Sequence, residues 1–420
     1  MSGSAGFSLP IQVVEAAGLT AWLAEDHSVP VVSLSWSWPG GAALDPAGQE
    51  GAARLAAALM TEGAGDLDAN AFADALRDEA IGLDFGAGRD EFEGGFRALA
   101  PALPQAVRLA RLAMTEPRFA EADIARLRAR AIASARQMLE GPRGRGSRAF
   151  WAAAYPDHPA GRPSGGTEES LAGLTEAQLR APLTRHLRRN GGLRIAASGA
   201  ITAAQLTQLL PQLFGALPEA PAEALPPLPD FRDFGTQVVP VAAPQSSVIF
   251  GQPGIAPRDP DWEAAQVMLR ILAGGGFTAR LTRSIREQRG LTYGIGAGLD
   301  SFYGQAVLVG SCATANARVS ELLSVLREEW ARMAANGPTS EEMDEAIAYL
   351  TGSQPLQFTD SRRIAATLLA MQRNDRPLDW LTRRPERLAA ITRDHAASLA
   401  KRLLQPEGLS ITVAGQPEGI

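Results

Sequence analysis

The side chains that most often bind metals or attack carbonyl groups are sparse in this sequence of 420 residues. Its four histidines are His27, His158, His186 and His395. No two of them stand at the spacing that lets a pair share a metal ion. The single cysteine, Cys312, lies in an apolar run typical of a strand, so we expect a buried and unreactive thiol. The glycines at 274–276 follow no strand and lack the spacing of a phosphate-binding loop, which argues against a nucleotide site.

Composition excludes two classes of partner. The formal net charge is -6 and is spread along the chain, and the arginine-rich segments 126–130 and 143–148 lack the aromatic side chains that stack on bases. We therefore expect no nucleic-acid binding. No apolar run reaches the roughly 18 residues of a membrane span, and residues 1–10 show no signal-peptide pattern.

The elements that position any site alternate between strands and helices. Residues 31–38 place Val32, Leu34, Trp36 and Trp38 on one face and serines on the other, which predicts a half-buried strand of an antiparallel sheet. Residues 49–60 and 320–335 carry apolar residues at helical spacing. The predicted fold class is α+β, with helices packed on one face of each sheet.

An internal repeat divides the chain. Residues 76–90 and 285–300 align with one insertion, residues 39–46 resemble 253–260, and a third match follows, all at a spacing of about 210 residues. Between the copies lies a proline-rich stretch that disfavours helix and sheet. We therefore predict two homologous domains, 1–216 and 236–420, joined by a linker at 217–235.

Three segments carry a family resemblance. They are Pro-Gly-Gly at 39–41 with residues 45–51, His-Pro-Ala-Gly-Arg-Pro at 158–163 with residues 166–171, and residues 275–281 with 285–293, the last reading Ile-Arg-Glu-Gln-Arg-Gly-Leu-Thr-Tyr. In these segments the chain resembles the pitrilysin family of zinc peptidases, which includes mitochondrial processing peptidase. The resemblance covers nearly the whole chain and implies a two-domain fold of the processing-peptidase type.

Catalytic members of that family carry His-x-x-Glu-His on the helix after the first segment, where two histidines bind zinc and the glutamate acts as general base. By alignment Arg54 stands at the first histidine, Ala57 at the glutamate and Ala58 at the second histidine. The family's third ligand is a glutamate on a later helix, but residues 124–139 contain no carboxylate and Glu140 is poorly placed. We therefore predict no metal site in this chain.

The resemblance also implies what chemistry remains. Some bacterial members divide the work between two similar chains, and the zinc-free chain supplies an arginine and a tyrosine that face the partner's zinc. The matching residues are Arg286, in the last turn of a helix predicted over 278–289, and Tyr293, near the start of a strand predicted over 291–299. A guanidinium and a phenol can both donate hydrogen bonds to an oxyanion. In the first copy Arg77 matches Arg286, but the tyrosine position is Leu83 or Asp84.

Three nearby residues are candidate contacts with substrate. Gly275 and Gly276 lie where the processing peptidase has a glycine-rich loop, although a simple turn is the alternative. Arg280 belongs to the same matched segment, and we interpret it as structural with substrate contact as the alternative.

The function that the resemblance implies is a non-metal-binding subunit of a heterodimeric zinc endopeptidase, inactive alone. Its partners would be a homologous His-x-x-Glu-His subunit, which holds the zinc, and peptide substrates. The alternative is a catalytically inactive peptide-binding or complex-assembly protein of the same fold. The family suggests a bacterial periplasm, with the cytoplasm as the other compartment.

Overall fold

The computed structural model describes residues 8–274 and 276–420, which form two compact units. The first unit comprises the described residues up to Ala135 together with Pro163–Pro227 and Pro355–Thr382. The second comprises Arg136–Arg162, Leu228–Gln354 and Arg383–Ile420. Each unit is built around its own sheet.

The sheet of the first unit has six strands in the order β1-β2-β6-β3-β5-β4. Only β2 and β6 pair in parallel, and the other pairings are antiparallel. The strands are β1 (Gln12–Ala16), β2 (Leu19–Glu25), β3 (Val31–Pro39), β4 (Gly82–Ala87), β5 (Glu91–Leu99) and β6 (Arg194–Gly199).

The sheet of the second unit has five strands in the order β7-β11-β8-β10-β9, with one parallel pair, β7 and β11. The strands are β7 (Thr236–Pro240), β8 (Gln245–Pro253), β9 (Ile295–Phe302), β10 (Gln305–Ala315) and β11 (Ser410–Gly415). Residues 218–235 contain neither helix nor strand, as expected for the proline-rich stretch.

Helices of both units pack on the sheets. They are α1 (Ala52–Leu59), α2 (Ala69–Asp78), α3 (Leu103–Thr115), α4 (Glu121–Glu140), α5 (Pro142–Ala154), α6 (Glu168–Gly173), α7 (Glu176–His186), α8 (Ala203–Phe214), α9 (Trp262–Ala273), α10 (Val319–Asn336), α11 (Ser340–Ser353), α12 (Ser361–Arg373), α13 (Arg384–Ala389) and α14 (Arg393–Leu403). A short π-helix spans Thr282–Glu287.

Strand β3 shows both the strength and the limit of the hydrophobic alternation. Its four apolar side chains, Val32, Leu34, Trp36 and Trp38, are buried in the core of the first unit, as predicted. The opposite face is not solvated, however, because Ser33 and Ser37 are buried too. The Ser33 hydroxyl lies 2.9 Å from that of Ser361 on α12, so a helix covers this face and the prediction of a half-buried strand was wrong.

One helix in each unit comes from the distant half of the sequence. In the first unit, α12 packs on β6 and β3. In the second unit, α5 packs on β8 and β11, and Gly146 allows this close approach because a β-carbon there would lie 2.6 Å from Cδ1 of Ile249. Because of these two helices both units are discontinuous in sequence. The predicted α+β class with two similar sheets is confirmed. The prediction of helices on one face of each sheet was wrong, because α12 and α5 cover the second faces.

Candidate functional site

Helix α1, which aligns with the family's zinc helix, is held at its start by a buried carboxylate. Asp45 accepts hydrogen bonds from the backbone N–H groups of Gly51 and Ala53, each at 3.1 Å. These N–H groups lie at the start of the helix, where the helix itself offers them no acceptor. Burial raises the pKa of Asp45 to about 7, because loss of water outweighs these hydrogen bonds and the nearby Arg185.

The degenerate zinc-motif positions keep the geometry of the motif without its chemistry. Arg54 and Ala58 are both exposed and stand one helical turn apart, so they share the outer face of α1. Ala57 is only 1% exposed and faces the core. The Arg54 guanidinium extends over Gly165, where a β-carbon would stand 3.3 Å from Nη1. An arginine and two alanines offer no metal ligand and no base.

No histidine compensates for this loss. His186 on α7 is buried and stacks on Phe92 at 4.9 Å between ring centroids, and its Nδ1 donates to the Pro182 carbonyl at 2.7 Å. Its Nε2 is buried without a hydrogen-bond partner among the described residues, and burial lowers its pKa to about 4. His186 is therefore a neutral core side chain.

The other three histidines lie in local polar contacts. His158 accepts from the backbone N–H of Ala160, while His27 contacts Glu25 and His395 contacts Asp261. Glu140 is exposed at the last residue of α4. Across residues 8–274 and 276–420, no group of three or more histidine, cysteine, aspartate or glutamate side chains is arranged to hold a metal ion. The residues present do not fit a zinc ion.

Arg286 lies in a π-helix rather than in the ordinary helix predicted over 278–289. The wider turn is recorded by the Gln288 N–H, which donates to the Arg283 carbonyl five residues earlier. Gly290 then adopts a left-handed conformation, with φ of 59°, and ends the helix as expected. Such π-turns are rare and occur frequently at functional sites.

Tyr293 lies before the strand and not within it, so the predicted strand start at 291 was wrong. Strand β9 begins at Ile295, which pairs with Cys312 on β10. The pairing ends there because the next carbonyl of β10, that of Ala313, accepts the Thr292 hydroxyl at 2.7 Å instead of a backbone N–H. The Leu291 carbonyl in turn accepts the Thr314 hydroxyl. These two buried threonines fix the segment and leave the Tyr293 side chain 91% exposed.

The structure brings Arg286 and Tyr293 together. The guanidinium carbon of Arg286 lies 5.3 Å from the centroid of the Tyr293 ring. It also lies 5.2 Å from the ring of Phe277, which is 65% exposed. Phe277 was not singled out from the sequence, because an aromatic residue after a run of glycines gives no local signal of its role. The three side chains form a group in which Phe277 and Tyr293 are exposed and Arg286 is half-buried, with two kinds of donor, a guanidinium and a phenol.

The three candidate substrate contacts differ in what they can do. Arg280 is largely buried and donates to both carboxylate oxygens of Glu342, at 2.7 and 2.6 Å, and to the Gly337 carbonyl. Its guanidinium thus ties the helix containing it to the start of α11. Gly276 has φ of 78°, which favours glycine. Gly275 lies outside the described residues.

The first copy of the repeat lacks the pair. Arg77 ends α2 as Arg286 ends its helix, but it makes an ion pair with Asp74 one turn away. Leu83 packs against the core of the first unit. Only the second copy therefore presents an arginine and a tyrosine together.

Two expectations from composition can be compared with the structure. Cys312 is buried, and burial raises the pKa of its thiol to about 12, as expected for an unreactive cysteine. Among the described residues, no helix combines the length and the apolar character that a membrane crossing requires.

Comparisons with known proteins agree with the motifs. Residues 173–350 match the family model described as the peptidase M16 inactive domain. The crystal structure of a peptidase M16 inactive domain from Pseudomonas fluorescens superposes with a TM-score of 0.92 at 26% identity, over 98% of this chain and 99% of that chain.

Curated relatives carry both active and inactive descriptions. An uncharacterized zinc protease of Mycobacterium leprae is 28% identical over 263 residues, which are 61% of this chain and 58% of the length of that protein. The non-peptidase homolog YmxG of Helicobacter pylori is 24% identical over 366 residues, 86% of this chain and 83% of that protein. With the motifs and the fold, these matches show that the chain is similar to M16 peptidases, the pitrilysin-type family that its sequence resembles, and to an inactive domain of that family in residues 173–350.

Proposed function

We propose that this chain is the zinc-free subunit of a heterodimeric M16 endopeptidase and that Arg286 and Tyr293 act on the substrate bound at the partner's zinc. The observation that carries the proposal is the pairing of half-buried Arg286, on the π-turn, with exposed Tyr293, the guanidinium carbon lying 5.3 Å from the centroid of the ring. The pair occurs in a chain whose α1 has no zinc ligand at the positions that align with the family's zinc motif. The partner's zinc and glutamate would supply the attacking water, so this chain needs no metal and no base.

The chemistry assigned to this chain is hydrogen-bond donation. Hydrolysis of a peptide places negative charge on the oxygen of the scissile carbonyl, and donors fixed in advance at that position lower the barrier. The Arg286 guanidinium offers several N–H donors, and the Tyr293 phenol offers one O–H donor. Neither side chain makes an ion pair with the residues that the structure describes, so both are available to a substrate.

Local rigidity supports the same role. Oxyanion stabilisation requires donors that do not reorganise during the reaction. The Thr292 and Thr314 hydroxyls hold the backbone around Tyr293, and the Ser284 hydroxyl, at 2.7 Å from buried Glu329, holds the π-turn that carries Arg286. The Tyr293 side chain is exposed and that of Arg286 is half-buried, whereas the backbone that carries them is anchored.

The test is reconstitution with a His-x-x-Glu-His chain of similar length from the same genome. We expect the two chains to copurify and a quenched fluorescent peptide to be cleaved only by the pair. Copurification with an unrelated complex, and no cleavage with any zinc-containing homologue, would instead support the second candidate.

That second candidate is a catalytically inactive peptide-binding or complex-assembly protein. It is favoured by the likeness to a protein described as a non-peptidase homolog over 86% of this chain. The Arg286–Tyr293 pair favours the first candidate, because assembly alone does not require it. A periplasmic location is part of the first proposal, and cell fractionation would test it.

A further inference from the structure

An exposed phenylalanine stands beside the π-turn that carries Arg286. Phe277 is 65% exposed, so its ring gains only part of the stabilisation that a buried phenylalanine receives from the hydrophobic effect. The guanidinium carbon of Arg286 lies over this ring at 5.2 Å from its centroid, a distance typical of cation–π contacts. The contact with Arg286 therefore explains the place of this ring better than packing does.

The backbone that leads into Phe277 is anchored by a second arginine. The Arg270 guanidinium donates to the Gly274 carbonyl at 2.9 Å and lies over the Tyr349 ring, 3.7 Å from its centroid. The same guanidinium lies beside Gly276, where a β-carbon would stand 3.6 Å from Nη2. Because Arg270 is held by a ring and in turn holds this backbone, the Phe277 ring extends from a fixed point.

Two rings orient the Arg286 guanidinium. Its carbon lies 5.3 Å from the centroid of Tyr293, and the side chain makes no hydrogen bond or ion pair with the residues that the structure describes. Arg280 is the contrasting case, because the Glu342 carboxylate fixes its guanidinium and occupies its donors. An aromatic ring contacts the flat face of a guanidinium and leaves the N–H groups in its plane available to a ligand.

We propose that Phe277 is a positioning residue for Arg286. Its ring, together with that of Tyr293, holds the guanidinium plane so that the N–H groups point towards an oxygen of the substrate. The inference rests on the proposed function for the identity of that oxygen, which is the scissile carbonyl. The orientation of the guanidinium belongs to this chain alone, so it can be measured without a partner.

Nuclear magnetic resonance of the isolated full-length chain, with isotopically labelled arginine, measures this orientation. A proton over the face of an aromatic ring is shielded, and Arg286→Lys identifies the Arg286 Nε–H signal by its disappearance. Phe277→Leu keeps an apolar side chain but removes the ring, so the signal should move towards that of an exposed arginine. Phe277→Tyr retains the ring and should leave the signal near its wild-type position. An unmoved signal in Phe277→Leu would overturn the proposal.

Cleavage by the reconstituted pair shows whether the reaction uses this orientation. Phe277→Leu should lower kcat by about tenfold, the loss expected for a cation–π contact shielded from water, with little change in KM. Phe277→Tyr restores a ring and should recover most of the kcat. Circular dichroism would verify that both variants fold. A raised KM with normal kcat would show that the ring only binds substrate, and it would overturn the positioning role.

A double-mutant cycle separates action through Arg286 from a direct effect of the ring. In the Arg286→Gln background, Phe277→Leu should cause no further loss of kcat, because the guanidinium is already gone. In the Arg283→Gln background it should still cause the full loss, because Arg283 is an exposed arginine of the same turn that does not lie over the ring. Losses that multiply in the Arg286→Gln background would overturn the proposal.

The two readouts distinguish failure of this inference from failure of the proposed function. Normal kcat for Arg286→Gln, with an Arg286 signal that still depends on the Phe277 ring, would overturn only the catalytic role proposed above. A large loss of kcat for Arg286→Gln, with neither the signal nor kcat dependent on Phe277, would overturn only this inference.

Discussion

Replacing Tyr293 by phenylalanine removes one hydroxyl from the proposed oxyanion site and little else. The ring is 91% exposed, so its hydroxyl contributes almost nothing to packing, and phenylalanine keeps the ring beside the Arg286 guanidinium. Deleting one preorganised oxyanion donor typically costs about 10²–10³ in kcat, or about 3–4 kcal/mol. We expect that loss in the reconstituted pair with little change in KM, because the interaction is made in the transition state.

Steady-state cleavage of a quenched fluorescent peptide by the two-chain complex measures this effect. Tyr349→Phe is the matched control, because Tyr349 is 52% exposed and also has an arginine over its ring, Arg270 at 3.7 Å. The control should cleave normally. Near-normal kcat for Tyr293→Phe in an intact complex would show that Tyr293 is not a donor to the reacting carbonyl, and the catalytic part of the proposal would fail while the family assignment stood.

Three further outcomes follow from the site. Arg286→Lys keeps the charge but loses the planar fork, so kcat should fall by at least about tenfold, whereas Arg283→Lys on the same turn should not alter it. Restoring His, Glu and His at the three degenerate positions of α1 should give neither stoichiometric zinc by metal analysis nor peptidase activity in the isolated chain, because the third ligand is missing and Ala57 is buried. The pKa of Asp45 is raised to about 7 in the folded state, so its contribution to the free energy of unfolding declines as pH rises from about 4 to 7. Urea titrations should show that the free energy of unfolding of wild type minus that of Asp45→Asn falls over this pH range. A difference that rises with pH would contradict the raised pKa.

Local patterns in the sequence predicted strands and helices, but not that each unit takes one helix from the other half of the chain. The alternation in β3 identified the buried face, because a two-residue period needs only neighbouring residues to be recognised. The burial of Ser33 depends on α12, which begins at Ser361 in the other half of the chain. Nothing in the sequence near either element indicates that pairing, since it is a product of long-range packing.

The site shows the same division. The matched family segment predicts Arg286 and Tyr293 as site residues, and in the structure the two side chains lie together. The segment did not reveal that a π-turn carries Arg286, because a π-turn is defined by the carbonyl to which each backbone N–H donates its hydrogen bond. Nor did it identify Phe277, whose ring approaches Arg286 only through the fold of the intervening turn.

The two halves of the chain differ in what folding requires of their site residues. In α1 the positions that align with the family's zinc ligands, Arg54 and Ala58, face outward, so the residue types there can differ without changing the core, and Asp45 caps the helix. The helix can therefore persist for structural reasons after its chemistry is lost. Arg286 and Tyr293 present the opposite case. A tyrosine exposed over 91% of its surface gains little from the hydrophobic effect, and a guanidinium beside it adds little to stability at an exposed site. Folding accounts for the presence of α1 but not for that of the Arg286–Tyr293 pair, which is why we propose that the function of this chain lies in the second unit.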